Sequence, residues 1–299
     1  MRVALLHNNS AGSKDHTADE LVGIIREEGH EVVTVANSLP ELLPVLHAEP
    51  LDLIVVAGGD GTVGRAACAL VGSPVPLAIL PLGTANNTAL ALGIHGTARE
   101  LIQGWKRGRV ERFDIAAART GPQLLRFGEA AGWGIFPEVI WQAKSHAERE
   151  RTVRGERELF RAVAQRAQPK RYAIDVDGQD YSGEYLLVEI MNLPFVGPQL
   201  LLSPTSSAQD GLLELVLVAQ SELATLLELV QSQSDGEARA AALPSQRAKR
   251  VTVRCKEPRF HTDGRLVANR ADADAMHDVE LEVGTAPVSY LLSCGSRAH

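Results

Sequence analysis

Gly58-Gly59-Asp60-Gly61-Thr62 carries the residue types and spacing for phosphate chemistry. It follows an apolar run, Leu51 to Ala57, that reads as a buried strand, and it precedes Val63 to Leu70, which reads as a helix. A strand that stops in glycines and restarts as a helix leaves backbone N–H groups without carbonyl partners. Those groups, with the positive end of the helix dipole, attract anions. The glycines are expected to take positive φ and to let a ligand approach the backbone. Asp60 is an acid inside an anion-attracting loop. It either meets a metal ion, a hydroxyl or a cation there, or it closes an Asx turn or N-cap on its own backbone.

A second loop repeats the design. Pro76 to Leu80 is a short apolar run, Pro81-Leu82-Gly83-Thr84-Ala85-Asn86-Asn87 follows, and Thr88 to Leu92 resumes a helical pattern. Side by side at the carboxyl ends of adjacent strands, the two loops would form one polar crevice, the place where open α/β sheets bind ligands. Asn8, at the end of the first strand, and Thr62, Thr84 and Asn86 would add polar contacts.

The elements that must position these loops follow from the hydrophobic pattern. Arg2 to His7 reads as a strand, Ala18 to Glu28 as a helix, His30 to Val35 as a strand, Leu39 to His47 as a helix and Thr97 to Arg107 as another. This alternation predicts an α/β nucleotide-binding domain over 1–119 with a mainly parallel sheet covered by helices. Beyond it, short strands are expected at Leu124 to Phe127, Arg171 to Val176, Tyr185 to Asn192, Leu213 to Ala219, Lys249 to Cys255 and Val279 to Val283. They predict a mainly antiparallel β-rich domain over 120–288, with Asp177-Gly178 as a hairpin turn and Gln231 to Ala248 as a loop. Residues 289–299 are expected to return to the first domain.

Composition narrows the function. A net charge of −7 and an aromatic content of 4% exclude nucleic acid as the main partner, which would need clustered Lys and Arg or a stacking platform. Three widely spaced cysteines suit free thiols in a reducing cytosol, and no apolar run is long enough to span a bilayer. The stretch Trp141 to Arg171 holds Arg149, Arg151, Arg154, Arg157, Arg161, Arg166, Lys170 and Arg171. It reads as an amphipathic helix making peripheral contact with an anionic membrane, or as a solvated helix whose interleaved Glu and Arg residues support one another; the interleaving favours the second.

The motifs together resemble the diacylglycerol kinase catalytic-domain family, bacterial lipid kinases related to sphingosine and ceramide kinases. Asn8-Asn9-Ser10-Ala11-Gly12 matches its N-terminal Asn-Pro-x-Ser-Gly loop, GGDGT is intact, and 81–87 match its Pro-x-Gly-Thr-x-Asn-Asp loop. Phe127 to Gly134, the segment Leu202-Ser203-Pro204 to Asp210-Gly211-Leu212, and Thr262-Asp263-Gly264-Arg265 match later family segments. The resemblance implies ATP-dependent transfer of a phosphoryl group to a lipid hydroxyl, with Mg²⁺, in the cytoplasm or at the inner membrane face. It implies Asp263 as the general base, Asp60 at the reacting centre and Asp210 as a metal or phosphate-loop partner. Nucleotide contacts fall on Asn8, Gly58, Gly59, Asp60, Gly61, Thr62, Gly83, Thr84 and Asn86. The chain departs from the family at three acids, replaced by Arg65, Asn87 and Arg265, all placed toward the acceptor. Arg cannot bind Mg²⁺ and stays protonated. Two alternatives therefore stand beside the lipid kinase: a kinase for a soluble phosphorylated or otherwise anionic acceptor, as in the NAD kinases that share GGDGT, and a nucleotide-binding regulator with weakened catalysis.

Overall fold

Strands with near-continuous apolar residues belong inside a parallel sheet covered on both faces. The computed structural model, which describes residues 1–8, 16–145, 152–234, 243–268 and 276–293, shows such a sheet at the N-terminus. The chain divides into two units, Met1–Phe113 with Ala286–His299, and Asp114–Thr285.

In the first unit Glu31–Ala36, Arg2–His7, Leu53–Gly58 and Leu77–Pro81 lie side by side, each pair parallel. Every residue of Leu53–Gly58 is buried. The strand Val288–Leu292 comes next, parallel to Leu77–Pro81 and antiparallel to Arg109–Phe113 at the edge. Thr17 opens the helix Ala18–Glu27 with a capping box: its hydroxyl accepts the Glu20 N–H at 3.2 Å and the Glu20 carboxylate accepts the Thr17 N–H at 2.8 Å. The helix expected over 39–47 is two pieces, Leu39–Leu42 and Val45–Ala48, because Pro44 falls between them and cannot donate to the helical ladder.

The second unit is a sandwich of antiparallel sheets. One contains Lys170–Val176, Arg250–Cys255, His277–Val283, Ala116–Thr120 and Gln123–Phe127; the other contains Ser245–Ala248, Leu213–Val218, Leu187–Met191, Ala130–Gly134, Arg259–Thr262 and Arg265–Ala268. Their facing side chains, among them Trp133, Tyr172, Phe127 and Phe260, form a fully buried core. Trp133 stacks on Phe260 at 5.2 Å between ring centres. The outer face of the second sheet packs under the helices Ile135–Ser145, Val153–Ala164 and Leu223–Ser234.

The basic stretch fits the second of its two readings, and one other expectation changes. The helix Val153–Ala164 buries Phe160, Val163 and Ala164 within its own unit, and Arg157 donates to the carbonyls of Pro198, Gln199 and Gln233. Its apolar face is therefore occupied, and Arg154 pairs with Glu158 one turn away, as a solvated helix does; Arg149 and Arg151 lie outside the described residues. The stretch 231–248, read as a loop, contains the end of the helix Leu223–Ser234 and the strand Ser245–Ala248. Among the described residues no helix is long and apolar enough to cross a membrane.

Candidate active site

The helix after Leu53–Gly58 starts at once, as Asp60–Ala69, with Gly59 as its N-cap. The Gly59 carbonyl accepts the N–H groups of Thr62 and Val63 at 2.9 and 3.1 Å, so Asp60 and Gly61 sit in the first turn, where N–H groups point outward. The expected positive φ is absent at Gly58, Gly59, Gly61 and Gly83. What requires glycine is contact between the loops. A Cβ on Gly59 would lie 2.9 Å from the Gly83 Cα, and a Cβ on Gly83 would lie 2.3 Å from the Gly59 Cα. Carbon atoms that do not share a bond rest at about 3.5–4.0 Å, so only two bare backbones can meet so closely.

The positive φ falls on Asn86, at 54°. Its side chain staples its own loop: Oδ1 accepts the Gly83 N–H and Nδ2 donates to the Gly83 carbonyl, both at 2.8 Å. Asn86, expected among the nucleotide contacts, thus has its amide engaged in shaping the loop. Asp60 ties the two loops further. Its Oδ1 accepts the Thr88 N–H at 3.1 Å, which places the carboxylate at the N-terminus of the helix Asn87–Ala91. Burial raises the Asp60 carboxyl above the usual range, while the N–H groups of Thr88, Asn87 and Asn86 pull against that rise.

Asn8 takes its N–H to the Ala57 carbonyl and donates from Nδ2 to the Thr62 hydroxyl at 2.8 Å. Thr62 is buried against bare Gly58, where a Cβ would lie 3.0 Å from its own. Thr84 is partly exposed. Arg65 is exposed, and its guanidinium turns back along the helix toward Gly61, the direction helical side chains take. Asn87, expected to meet substrate, is instead only 2% exposed, because it is the first residue of a helix packed inside the unit. His7 ends its strand with the ring on the His16 carbonyl at 3.0 Å. Asn9, Ser10, Ala11 and Gly12 lie outside the described residues.

The remaining site residues belong to the second unit. Asp263 and Gly264 are the two loop residues of a hairpin in which Thr262 faces Arg265. Their φ values, 47° and 68°, are those of the turn that matches the twist of a hairpin. The Asp263 carboxylate reaches the neighbouring segment: Oδ2 accepts the Gly128 N–H at 2.9 Å, and Oδ1 accepts those of Glu129 at 2.8 Å and Ala130 at 3.3 Å. Burial raises its carboxyl, against those three donors and the nearby His261. Asp177-Gly178 repeats the device, with φ of 50° and 87° and a carboxylate that accepts the Lys249 and Arg250 N–H groups at 2.9 Å each. Arg265 is exposed on the outgoing strand.

Asp210, expected as a metal ligand, is ion-paired with Arg247, and its Oδ1 accepts the Leu212 N–H at 3.0 Å. Among the described residues no cluster of three or more His, Cys, Asp or Glu side chains could hold an ion. Sequence reasoning passed over Asp114, which accepts the Gly211 N–H at 3.1 Å, and Glu189, which pairs with His261. The signal for Glu189 was present: one charge in the middle of the apolar run Leu187–Met191.

Two interlocked glycine loops, on adjacent parallel strands, mark the α/β unit, which a β-sandwich follows in sequence. Residues 2–118 match the diacylglycerol kinase catalytic domain, and residues 142–283 match the YegS C-terminal NAD kinase beta sandwich-like domain. The chain belongs to the diacylglycerol kinase catalytic-domain family. It is 26% identical to a diacylglycerol kinase of Mycobacterium tuberculosis (strain CDC 1551 / Oshkosh) over 85% of this chain and 84% of that one. It is 28% identical to a probable lipid kinase YegS-like of Klebsiella pneumoniae (strain 342) over 74% and 75%. A solved diacylglycerol kinase from Bacillus anthracis str. Sterne superposes with a TM-score of 0.71 at 21% identity, covering 98% of this chain and 97% of that one, which speaks for the fold.

Proposed function

We propose that this protein transfers the γ-phosphoryl group of ATP to the hydroxyl of a diacylglycerol-like or sphingoid-like lipid. The observation that carries the reading is the backbone contact between Gly59 and Gly83, which brings both glycine loops beside the N-terminus of the helix Asp60–Ala69, where a polyphosphate would meet free N–H groups. Phosphoryl transfer is mostly positioning and charge stabilisation. The first-turn N–H of Gly61 and the guanidinium of Arg65 supply positive potential. Thr62, held by Asn8, and Thr84 supply hydroxyl contacts. The acceptor oxygen forms a bond to the γ-phosphorus as the bond to the ADP oxygen breaks, and the hydroxyl proton passes to a carboxylate.

Asp263 is the base in this reading. Its Oδ2 accepts one N–H, which leaves a lone pair for the proton. When bound, Mg²⁺ would neutralise phosphate charge; among the described residues no cluster of acids forms a cage, and in this reading the nucleotide's own phosphates hold the ion.

A second reading has a specific observation behind it. Asp177 staples its hairpin as Asp263 does, so the Asp263 carboxylate could serve only to hold the turn. One experiment separates the two: turnover of ATP with 1,2-dioleoylglycerol in mixed micelles by wild type, Asp263→Asn and Asp177→Asn. A base gives a dead D263N beside an active D177N with a similar loss of stability. Equal, retained activity in both variants leaves Asp263 as a staple. Phosphorylation of a soluble phosphorylated acceptor and none of dioleoylglycerol would overturn the lipid reading and favour exposed Arg65 and Arg265 as anion contacts.

A further inference from the structure

The second unit buries two ionisable side chains that the reaction as described does not use. Glu189 is 0% exposed and His261 is 1% exposed. Both lie on one rung of the sheet, because Gly132 is the strand partner of each. Gly132 has no side chain, and the Glu189 carboxylate lies in the space: a Cβ there would fall 2.0 Å from its Oε2. The carboxylate thus crosses the bare strand to reach the imidazole, with Oε1 2.9 Å from Nε2. Beyond this contact neither the two oxygens nor the two ring nitrogens has a hydrogen-bond partner. The rung continues in apolar residues, Val216 beside Glu189 and Leu266 beside His261, and the Phe136 ring lies 5.6 Å from the imidazole.

Such a pair brings no stability that apolar side chains of the same size would not. Its placement supplies another use. His261 is two residues before Asp263, in the strand that leads into its turn, and Thr262 pairs with Ala131 while the Asp263 N–H donates to the Ala130 carbonyl at 2.9 Å. We propose that Glu189 and His261 are positioning residues for Asp263: the carboxylate holds the imidazole in the sheet, and the imidazole holds the Asp263 turn and places positive charge behind it. The carboxylates that interact with the imidazole are Glu189, across Gly132, and Asp263, in the turn that follows its strand. The helix Ile135–Ser145 presents Phe136 to it. The charge on His261 favours the ionised form of Asp263. Without the imidazole held in place that support is gone, and Asp263 then holds its proton to higher pH.

The inference rests on Asp263 being the base, and the test keeps the two apart. The full-length protein is compared with Glu189→Gln, His261→Gln and Asp263→Asn, using ATP and 1,2-dioleoylglycerol micelles. E189Q and H261Q are expected to bind ATP within twofold of wild type and to lose tenfold or more in kcat. The acid limb of their kcat–pH profiles should move to higher pH, a shift that a purely structural role does not produce. Wild-type kcat and an unmoved limb in E189Q, beside a dead D263N, overturn the positioning role alone. An active D263N, or a wild type without turnover on dioleoylglycerol, overturns the reading of the site and the inference with it. If H261Q fails to fold, E189Q, which keeps the size of the side chain, carries the test.

Discussion

Replacing Gly83 by alanine probes the contact between the two loops. The new Cβ would lie 2.3 Å from the Gly59 Cα and 2.8 Å from the Asn86 Oδ1. The first contact is more than an ångström short of a relaxed separation, and its partner is backbone, which cannot rotate away. The loops must part, and the Asn86 staple must stretch. Overpacking of this kind costs about 1–3 kcal/mol. At roughly 2–4 °C per kcal/mol for a unit of this size, melting should fall by roughly 2–12 °C. ATP affinity should fall with it, because the two helix N-termini separate. Gly61→Ala is the control. A Cβ there meets only the Arg65 guanidinium, at 3.8 Å. Alanine within a helix is better than glycine by about 0.5–1 kcal/mol, so G61A should melt no lower than wild type. It should still lose ATP affinity, since the methyl group stands where phosphate approaches the first-turn N–H groups. Calorimetric melts and ATP titrations of both variants decide the matter. A G83A protein with wild-type melting and affinity would refute the interlocked-loop argument, and a G61A protein with unchanged affinity would move the phosphates elsewhere.

Other consequences can be checked directly. Asn86→Gly removes two hydrogen bonds to Gly83, at about 0.5–1.5 kcal/mol each. Asn86→Ala adds the left-handed backbone penalty of about 1–2 kcal/mol, so denaturation should rank wild type, glycine, alanine; alanine equal to glycine would contradict the φ of 54°. The folded Asp60 carboxyl titrates above its unfolded value. Between the two values the folded state holds more protons, and wild-type stability falls as pH rises through that window. Asp60→Asn does not titrate, so urea melts should show it gaining on wild type as pH rises above about 4; a difference that ignores pH would count against the buried carboxylate. Burial pushes the Cys255 thiol up to about 11. A thiol reagent near pH 8 should leave it unmodified until denaturant is added, and rapid labelling of Cys255 in the folded protein would show that strand to be open.

Much of the first unit could be read from residue order, because strands buried on both faces and turns rich in glycine have strong local signatures. The loop chemistry was legible for the same reason. The cause of its glycines was not: whether a glycine serves φ or contact depends on what lies opposite, and Gly83 is 24 positions from Gly59. Asn86 shows the same limit, since an amide that fits a nucleotide fits a neighbouring peptide equally well. In the second unit Asp177-Gly178 was visible as a hairpin. The strands Ala116–Thr120 and Ala130–Gly134 were missed, being rich in alanine and glycine, whose place in a sheet comes from larger residues packed with them, as Phe260 packs on Trp133 of the second strand. The Glu189–His261 pair needed the register across Gly132, which no single segment contains.

The strand Val288–Leu292 has a consequence for the order of synthesis. It is the fifth strand of the first unit's sheet, and Tyr290 pairs with Leu77, beside the strand that ends in the second glycine loop. A ribosome delivers it after every residue of the second unit. Until then Leu77–Pro81 lacks its neighbour on that side, and Arg109–Phe113 lacks the strand to which it bonds. The first unit is thus the earliest to emerge and the latest to close, with an unpaired sheet edge that a chaperone or the finished sandwich must outwait.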